Sequence, residues 1–316
     1  MCSEAAPLVR RRLHGATMGT RYRAVFYAPA AMDVAALNTD LLCAVEQVDR
    51  QMSRWDRASD LSRVNDAPLH AWIAIPAQLA AVLAAALQVG VQSAGAFDIG
   101  VGAQVDACGF GAGARNLRSV PAPFDAPYLP AAERLDFDQA GARLRKRAPI
   151  AIDLSGIAKG YGVDQLATCL ERPGLHNYLV GIDGEMRGGG GKPDGAAWVM
   201  ALERARAGVR SVAGVMALRD VAIATSGDYR HTVTIGGRQY AHTIAPALQQ
   251  PLANTLAAVS VLASACMLAD AWATALLVAG EENGLALARR YAIDALFVVR
   301  EGAALREVLL LDGCIS

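Results

Sequence analysis

Tyr178-Leu-Val-Gly-Ile182, Trp198-Val-Met-Ala-Leu202, the span Val212 to Ile223 and the span His231 to Ile235 follow one another with no helical stretch between them. Each is a short apolar run of strand length bounded by turn-forming residues. Gly236-Gly237 supplies a two-residue hairpin turn into a further strand, Gln239 to Ile244,. This run of strands makes the second half of the chain substantially antiparallel.

Outward from this block the pattern becomes helical. On the N-terminal side, Ser155 to Leu170 reads as a helix ended near Pro173-Gly174. Pro76 to Val91 opens with Pro at a first helical position, and Met32 to Met52 carries Leu37, Leu41, Leu42, Val45 and Val48 at helical spacing,. Arg21 to Tyr27 alternates as a strand, and Gly95 to Gly113 reads as a loop,. On the C-terminal side, Cys266 to Ala279 and Glu281 to Tyr291 are helices, followed by strands Ala295 to Val299 and Glu307 to Leu311. The expected class is α/β in the broad sense (α+β), with mixed, largely antiparallel sheets and packed helices. No clear linker divides the chain, so residues 1–316 are expected to form one domain, or two intimately packed subdomains,.

Of 316 residues, 53% are hydrophobic and 19% charged, and Lys+Arg and Asp+Glu balance at 30 each. No global field therefore favours nucleic acid or an anionic membrane. Arg10-Arg11-Arg12 is the one tight basic cluster and reads as a solvated N-terminal arm. The six cysteines, at 2, 43, 108, 169, 266 and 314, include no CxxC pair,. Cys43, Cys169 and Cys266 read as small core residues, a pattern that suits a reducing compartment. The apolar run Thr255 to Gly280 has the length of a membrane span, yet Asp270 lies inside it and Ala257 to Val261 is strand-like, so strand, turn and buried helix are expected instead of a transmembrane segment,. Met1-Cys-Ser-Glu-Ala-Ala-Pro7 lacks the apolar core of a secretory signal, which implies a cytoplasmic protein as written,. A lipoprotein trimmed to a lipidated Cys2 would instead be periplasmic or lipid-anchored.

Asp153-Leu-Ser-Gly-Ile-Ala-Lys-Gly160 follows the short apolar strand Ile150-Ala-Ile152. An acid, a hydroxyl, a glycine and a lysine thus cluster where a strand enters a helix, a place that favours anions, although capping by Asp153 or Ser155 explains the same residues. Asp270 and Thr274 stand four apart in an otherwise apolar helix, so their oxygens share one face,. A carboxylate buried there needs a salt-bridge partner or a hard cation such as Mg²⁺. Thr225-Ser-Gly-Asp-Tyr229 forms a polar strand end, and His242 is a candidate general base or a structural histidine.

Taken in order, these segments resemble the ApbE-type FAD:protein FMN transferases over roughly residues 17 to 280. Thr17-Met-Gly-Thr20, Met52 to Asn65, Gly95-Ala-Phe-Asp98 with Cys108-Gly-Phe-Gly111, Asp153 to Gly160 with Asp164, Asn177 to Arg187, Gly191 to Gly195 with Trp198, Thr225 to Tyr229 and Ala269 to Leu276 carry the resemblance. The family has Trp at the position of Cys108 and Gly at that of Asp183. In the segment His242-Thr-Ile-Ala-Pro-Ala-Leu-Gln-Gln-Pro251 it has Asp, Thr and Gly where this chain has Ala245, Leu248 and Gln249.

The resemblance implies an α+β architecture related to the T-fold and Mg²⁺ held by the Asp270 and Thr274 side chains and the main-chain oxygens of Gly156 and Ala273. It implies FAD, the substrate, lined by Met18, Trp55, Ala96, Phe97, Asp98, Asp153, Lys159 and Ile244. FMN would pass to a Ser or Thr hydroxyl of an acceptor flavoprotein, such as a redox-pump or reductase subunit bearing a flavinylation motif, with AMP released. Mg²⁺ and Lys159 would neutralise the pyrophosphate, and His242, or second Asp228, would take the hydroxyl proton. Two rival readings share the site: hydrolysis of FAD to FMN and AMP, and FAD binding or assembly without catalysis, the latter motivated by Ala245, Leu248 and Gln249.

Overall fold

Nine antiparallel strands form one sheet in the order Leu8–Thr17, Thr20–Pro29, Tyr178–Ile182, Glu185–Gly189, Val221–Gly227, Leu256–Ala263, Asp294–Glu301, Ala304–Leu311 and Cys314–Ile315. The structure is a computed structural model that describes residues 7–111, 127–203, 212–228, 232–235, 238–302 and 304–315. Cys2, Tyr229, His231 and the Gly236-Gly237 turn lie outside the described residues.

Strand alternation decides which face is covered. Tyr22, Ala24, Phe26 and Ala28 are buried against helices Val34–Met52 and Ala158–Glu171, where they meet Leu37, Leu41, Val45, Val163 and Leu166. Helices Ala77–Gln92 and Cys266–Arg290 pack in a second core with Leu256, Val259, Val261 and Phe297. A two-stranded hairpin, Trp198–Glu203 with Val212–Leu218, covers the opposite face, setting Trp198 and Leu218 on Ile223. The Trp198 indole N–H donates to the Gly189 carbonyl at 3.1 Å.

Several expectations change. Arg10-Arg11-Arg12 is not a loose arm: it lies in an edge strand paired along its length with Thr20–Pro29. Val212 to Ile223 divides at Asp220 (φ +54) into strands of two different sheets. The loop Gly95 to Gly113 contains a short helix, Gly102–Ala107, preceded by the turn Ile99–Val101. Cys43 is exposed, because Leu41, Val45 and Val48 face inward; Cys169 is half-buried and Cys266 fully buried. The boundary expected at Gly280 appears as a break (φ +80) within the helical span Cys266–Arg290. Among the described residues no helix is long and apolar enough to cross a membrane.

Candidate active site

The helices Ala158–Glu171 and Cys266–Arg290 cross at Gly160. A Cβ there would lie 2.7 Å from the Cys266 carbonyl carbon, nearer still to its oxygen, and 2.8 Å from the Asp270 Cβ. Backbone contact this close needs glycine. It lets the Gly160 N–H donate to Asp270 Oδ2 at 2.9 Å. Asp164, one turn further on, accepts from the N–H groups of Cys266 (3.0 Å) and Met267 (2.9 Å) and from Arg187 (2.8 Å). Ala265, at the cap position, has no side-chain bond to offer, so Asp164 caps that helix from its neighbour,.

Asp270 is buried, and Thr274 lies one turn beyond it. Thr274 Oγ1 is 2.9 Å from Ser226 Oγ and 3.2 Å from the point a Cβ on Gly156 would occupy. The Phe97 ring comes to 3.2 Å of the same point. Gly156 thus meets Thr274 just as Gly160 meets Asp270, one turn apart along the same pair of segments, and Ala273, between Asp270 and Thr274, is buried.

Lys159 reaches across to the sheet, donating to Glu185 Oε1 at 2.6 Å with Asp183 Oδ2 at 3.8 Å. Burial disfavours its charge, but Glu185, Asp270 and Asp183 outweigh this and hold its pKa above the ordinary lysine value,. Burial, then the Glu185 carboxylate, raises the Asp270 pKa above the ordinary carboxylate value, against the pull of Lys159 and the Gly160 N–H. Two buried carboxylates sharing one ammonium leave room for further positive charge.

Asp153 is placed by its neighbours. Asn65 grips Ile152 through both its N–H (2.7 Å) and its carbonyl (3.0 Å), as a strand partner would. Asp153 then accepts from the Ser155 N–H at 2.7 Å and from Arg54 at 2.8 Å, and Arg54 also reaches Asp106 at 2.6 Å. The next residue, Trp55, is 66% exposed, unusual for a large aromatic ring,. Met18 adopts φ +46 in the turn between the first two strands, and its Cε lies 3.1 Å from the point a Cβ on Gly162 would occupy.

Other nominated residues have different surroundings. Asp98 accepts from the backbone N–H groups of Gly100 (2.5 Å) and Ala131 (2.9 Å), so its carboxylate organises the chain next to half-buried Ala96. Ile244 is buried and pairs with Pro251. The His242 ring meets Phe110 edge-on, centroids 6.4 Å apart. Both oxygens of Asp228 are taken by Arg300, one of them at 2.6 Å, which leaves Asp228 poorly suited to take a proton. Glu185, Ser226 and Arg54 were not nominated from sequence. The usable signal was Glu185 itself, the one acid in a short glycine-rich strand whose only other charge is Arg187.

Two departures from the family pattern fall on left-handed backbone, Asp183 at φ +55 and Gln249 at φ +54. Gln249 ends the turn Pro246–Leu248 and accepts from Gln104 Nε2 at 3.2 Å. A non-glycine residue there costs roughly 1–2 kcal/mol. Gln249→Gly is therefore expected to hold or raise stability, by up to about 1 kcal/mol after the lost hydrogen bond. A fall in thermal midpoint would contradict this.

Comparison with known proteins places the chain in a family. A family model described as the ApbE family matches residues 18–297. The FAD:protein FMN transferase of Vibrio cholerae serotype O1 is 36% identical over 95% of this chain and 91% of its own length. That of Haemophilus influenzae is 34% identical, covering 91% and 86%. The solved flavin transferase ApbE from Vibrio cholerae superposes with a TM-score of 0.85 at 36% identity, over 96% of this chain and 97% of that one. The apo flavinyl transferase ApbE of Pseudomonas stutzeri gives 0.85 at 33%, over 97% and 96%. With the match spanning most of its length, the chain belongs to the ApbE family.

Proposed function

We propose that this chain transfers the FMN portion of FAD to a Ser or Thr hydroxyl of an acceptor flavoprotein, releasing AMP, with Mg²⁺ at the Asp270 site. The observation that carries the reading is the buried Asp270 beside Glu185 and Lys159, where two helices meet at Gly160. The names of the relatives, FAD:protein FMN transferase, support it.

The donor set fits Mg²⁺. Its oxygens would come from the side chains of Asp270 and Thr274 and the carbonyls of Gly156 and Ala273, a hard set with one carboxylate, suited to an ion that keeps waters and shares substrate phosphates. When bound, the ion supplies charge neutralisation to the pyrophosphate.

Lys159, whose side chain is 31% exposed beside the buried Glu185, would turn from that carboxylate to a phosphate oxygen. No side chain caps the start of its helix at Ile157, so that end also favours an anion,. The acceptor hydroxyl oxygen attacks the phosphorus of the FMN half. The bond from that phosphorus to the bridging oxygen breaks, and AMP departs with the bridging oxygen. His242 is the residue assigned to take the hydroxyl proton, because Arg300 already engages Asp228. Trp55 and Phe97 would provide apolar surface for the flavin nucleotide,.

The test is incubation of the protein with FAD and Mg²⁺, with and without an acceptor carrying the Ser/Thr motif. Acid-stable flavin on the acceptor, matched by AMP, is the expected result. AMP without acceptor would favour hydrolysis, and tight FAD binding without AMP would favour a non-catalytic protein. Lys159→Gln is expected to lower transfer by about 10- to 100-fold and raise the KM for FAD, since one charge on the developing phosphate is removed. Unchanged kinetics in that variant would remove Lys159 from the mechanism.

A further inference from the structure

The ribbon of Leu8–Thr17 and Thr20–Pro29 forms one edge of the nine-stranded sheet. Its register sets Arg10 opposite Tyr27, Arg12 opposite Val25, His14 opposite Arg23 and Ala16 opposite Arg21. Directly opposed residues share a face, so Arg10, Arg12, His14, Arg21 and Arg23 all project from one side. It is the side away from the helices, because Tyr22, Ala24 and Phe26 are buried on the other. All five basic residues are exposed.

Several arginines elsewhere among the described residues are matched to acids: Arg54 with Asp153, Arg145 with Asp136, Arg187 with Asp164, Arg300 with Asp228 and Arg306 with Glu281. Among the described residues none of the five on the ribbon face has such a partner. Only His14 and Arg23 are basic residues set directly opposite each other, and Arg12 lies diagonal to Arg23, within reach of its long side chain,. In a chain with 30 basic and 30 acidic residues, this is a local concentration of charge that composition hides.

Position gives the face a direction. The ribbon's turn holds Met18, whose side chain rests against Gly162, on the helix that carries Lys159. The Asp183 N–H also donates to the Arg21 carbonyl at 3.5 Å, and Asp183 Oδ2 lies 3.8 Å from Lys159, so the turn end of the cationic face lies beside the Lys159 site, while Val25 and Tyr27 at its far end pack against the Trp198 hairpin. We propose that this face docks an acidic surface of the acceptor protein, steering it so that its hydroxyl enters at the Lys159 end. The inference rests on the reading of the chain as a protein-directed transferase. Opposite charge across such a contact raises the encounter rate and weakens with salt.

The test uses the full chain, an Arg12→Gln/Arg21→Gln/Arg23→Gln variant and the corresponding Arg→Glu variant, each checked for folding by circular dichroism and thermal melting. The probes are a fluorescent oligo-aspartate peptide and vesicles of phosphatidylglycerol with phosphatidylcholine. The unsubstituted protein is expected to bind the peptide at low salt, at least about tenfold more tightly than the Gln variant, with the Glu variant weaker again and binding lost as salt screens the charges. In transfer assays the KM for acceptor should rise by a similar factor while the KM for FAD stays fixed. Equal peptide binding by all three proteins would overturn the proposal, as would vesicle binding that the Glu variant abolishes with the acceptor KM unchanged. Peptide binding needs no catalysis, so a protein that binds oligo-aspartate but transfers no flavin would sink the functional reading while leaving an acid-binding face.

Discussion

Asp270→Asn is expected to reduce FMN transfer by about two to three orders of magnitude while leaving the protein folded. The substitution is nearly isosteric, and the amide oxygen can still accept from the Gly160 N–H, now at 2.9 Å from the carboxylate. What disappears is the negative charge. That charge is costly where it stands, buried and beside Glu185, and both features raise its proton affinity. Removing it should therefore hold or raise the thermal midpoint of the Mg²⁺-free protein, because a buried charge that shares its one ammonium with Glu185 is only partly compensated and burdens folding,. A residue kept only for packing would show the opposite pairing, with activity following stability. Transfer read as acid-stable flavin, and Mg²⁺-dependence of FAD binding read by calorimetry, check the two halves separately. Transfer within threefold of the unsubstituted protein would end the assignment of Asp270 as a metal ligand.

The parts of this architecture that could be read from sequence are those where one residue type has one use. The helix Val34–Met52 was legible from its apolar spacing, and the strand Tyr178–Ile182 from its continuous apolar run. Asp270 stood out because a carboxylate in an apolar helix demands an explanation. The edge strand Leu8–Thr17 was missed for the converse reason. Its outward face carries Arg10, Arg12 and His14, and its inward contribution is slight, so no hydrophobic alternation marks it,. The strand Glu185–Gly189 was hidden by its glycines, which are there because Tyr178 and Leu218 press against Gly189 and Gly188.

Roles were harder to read than positions. Asp153, Asp164 and Asp98 look alike in a sequence. In the fold, the first joins an ion pair with Arg54, the second caps a neighbouring helix, and the third ties down residue 131. Such differences depend on which backbone N–H groups the tertiary structure brings near, and local pattern carries no record of that. The same holds for Lys159, whose resting partner Glu185 lies 26 residues away on the sheet.

Gly160→Ala is expected to destabilise the protein by about 3–5 kcal/mol and to remove activity with it. In an ordinary helix interior the same change would stabilise by up to about 1 kcal/mol. Here the added methyl would sit 2.7 Å from the Cys266 carbonyl carbon and 2.8 Å from the Asp270 Cβ. These atoms are backbone or fixed to it, so no rotamer change relieves the contact, and the two helices must separate. Separation stretches the Gly160–Asp270 hydrogen bond and the two bonds by which Asp164 caps the second helix. At roughly 2–4 °C per kcal/mol for a chain of this size or somewhat smaller, the thermal midpoint should fall by about 10 °C. Gly214→Ala is the matched control: nothing lies within 4 Å of its added Cβ, and a change within about 0.5 kcal/mol is expected,. If both alanine variants melt with the unsubstituted protein, the helix crossing at residue 160 is not the tight junction described, and the placement of Asp270 on the Gly160 N–H loses its scaffold.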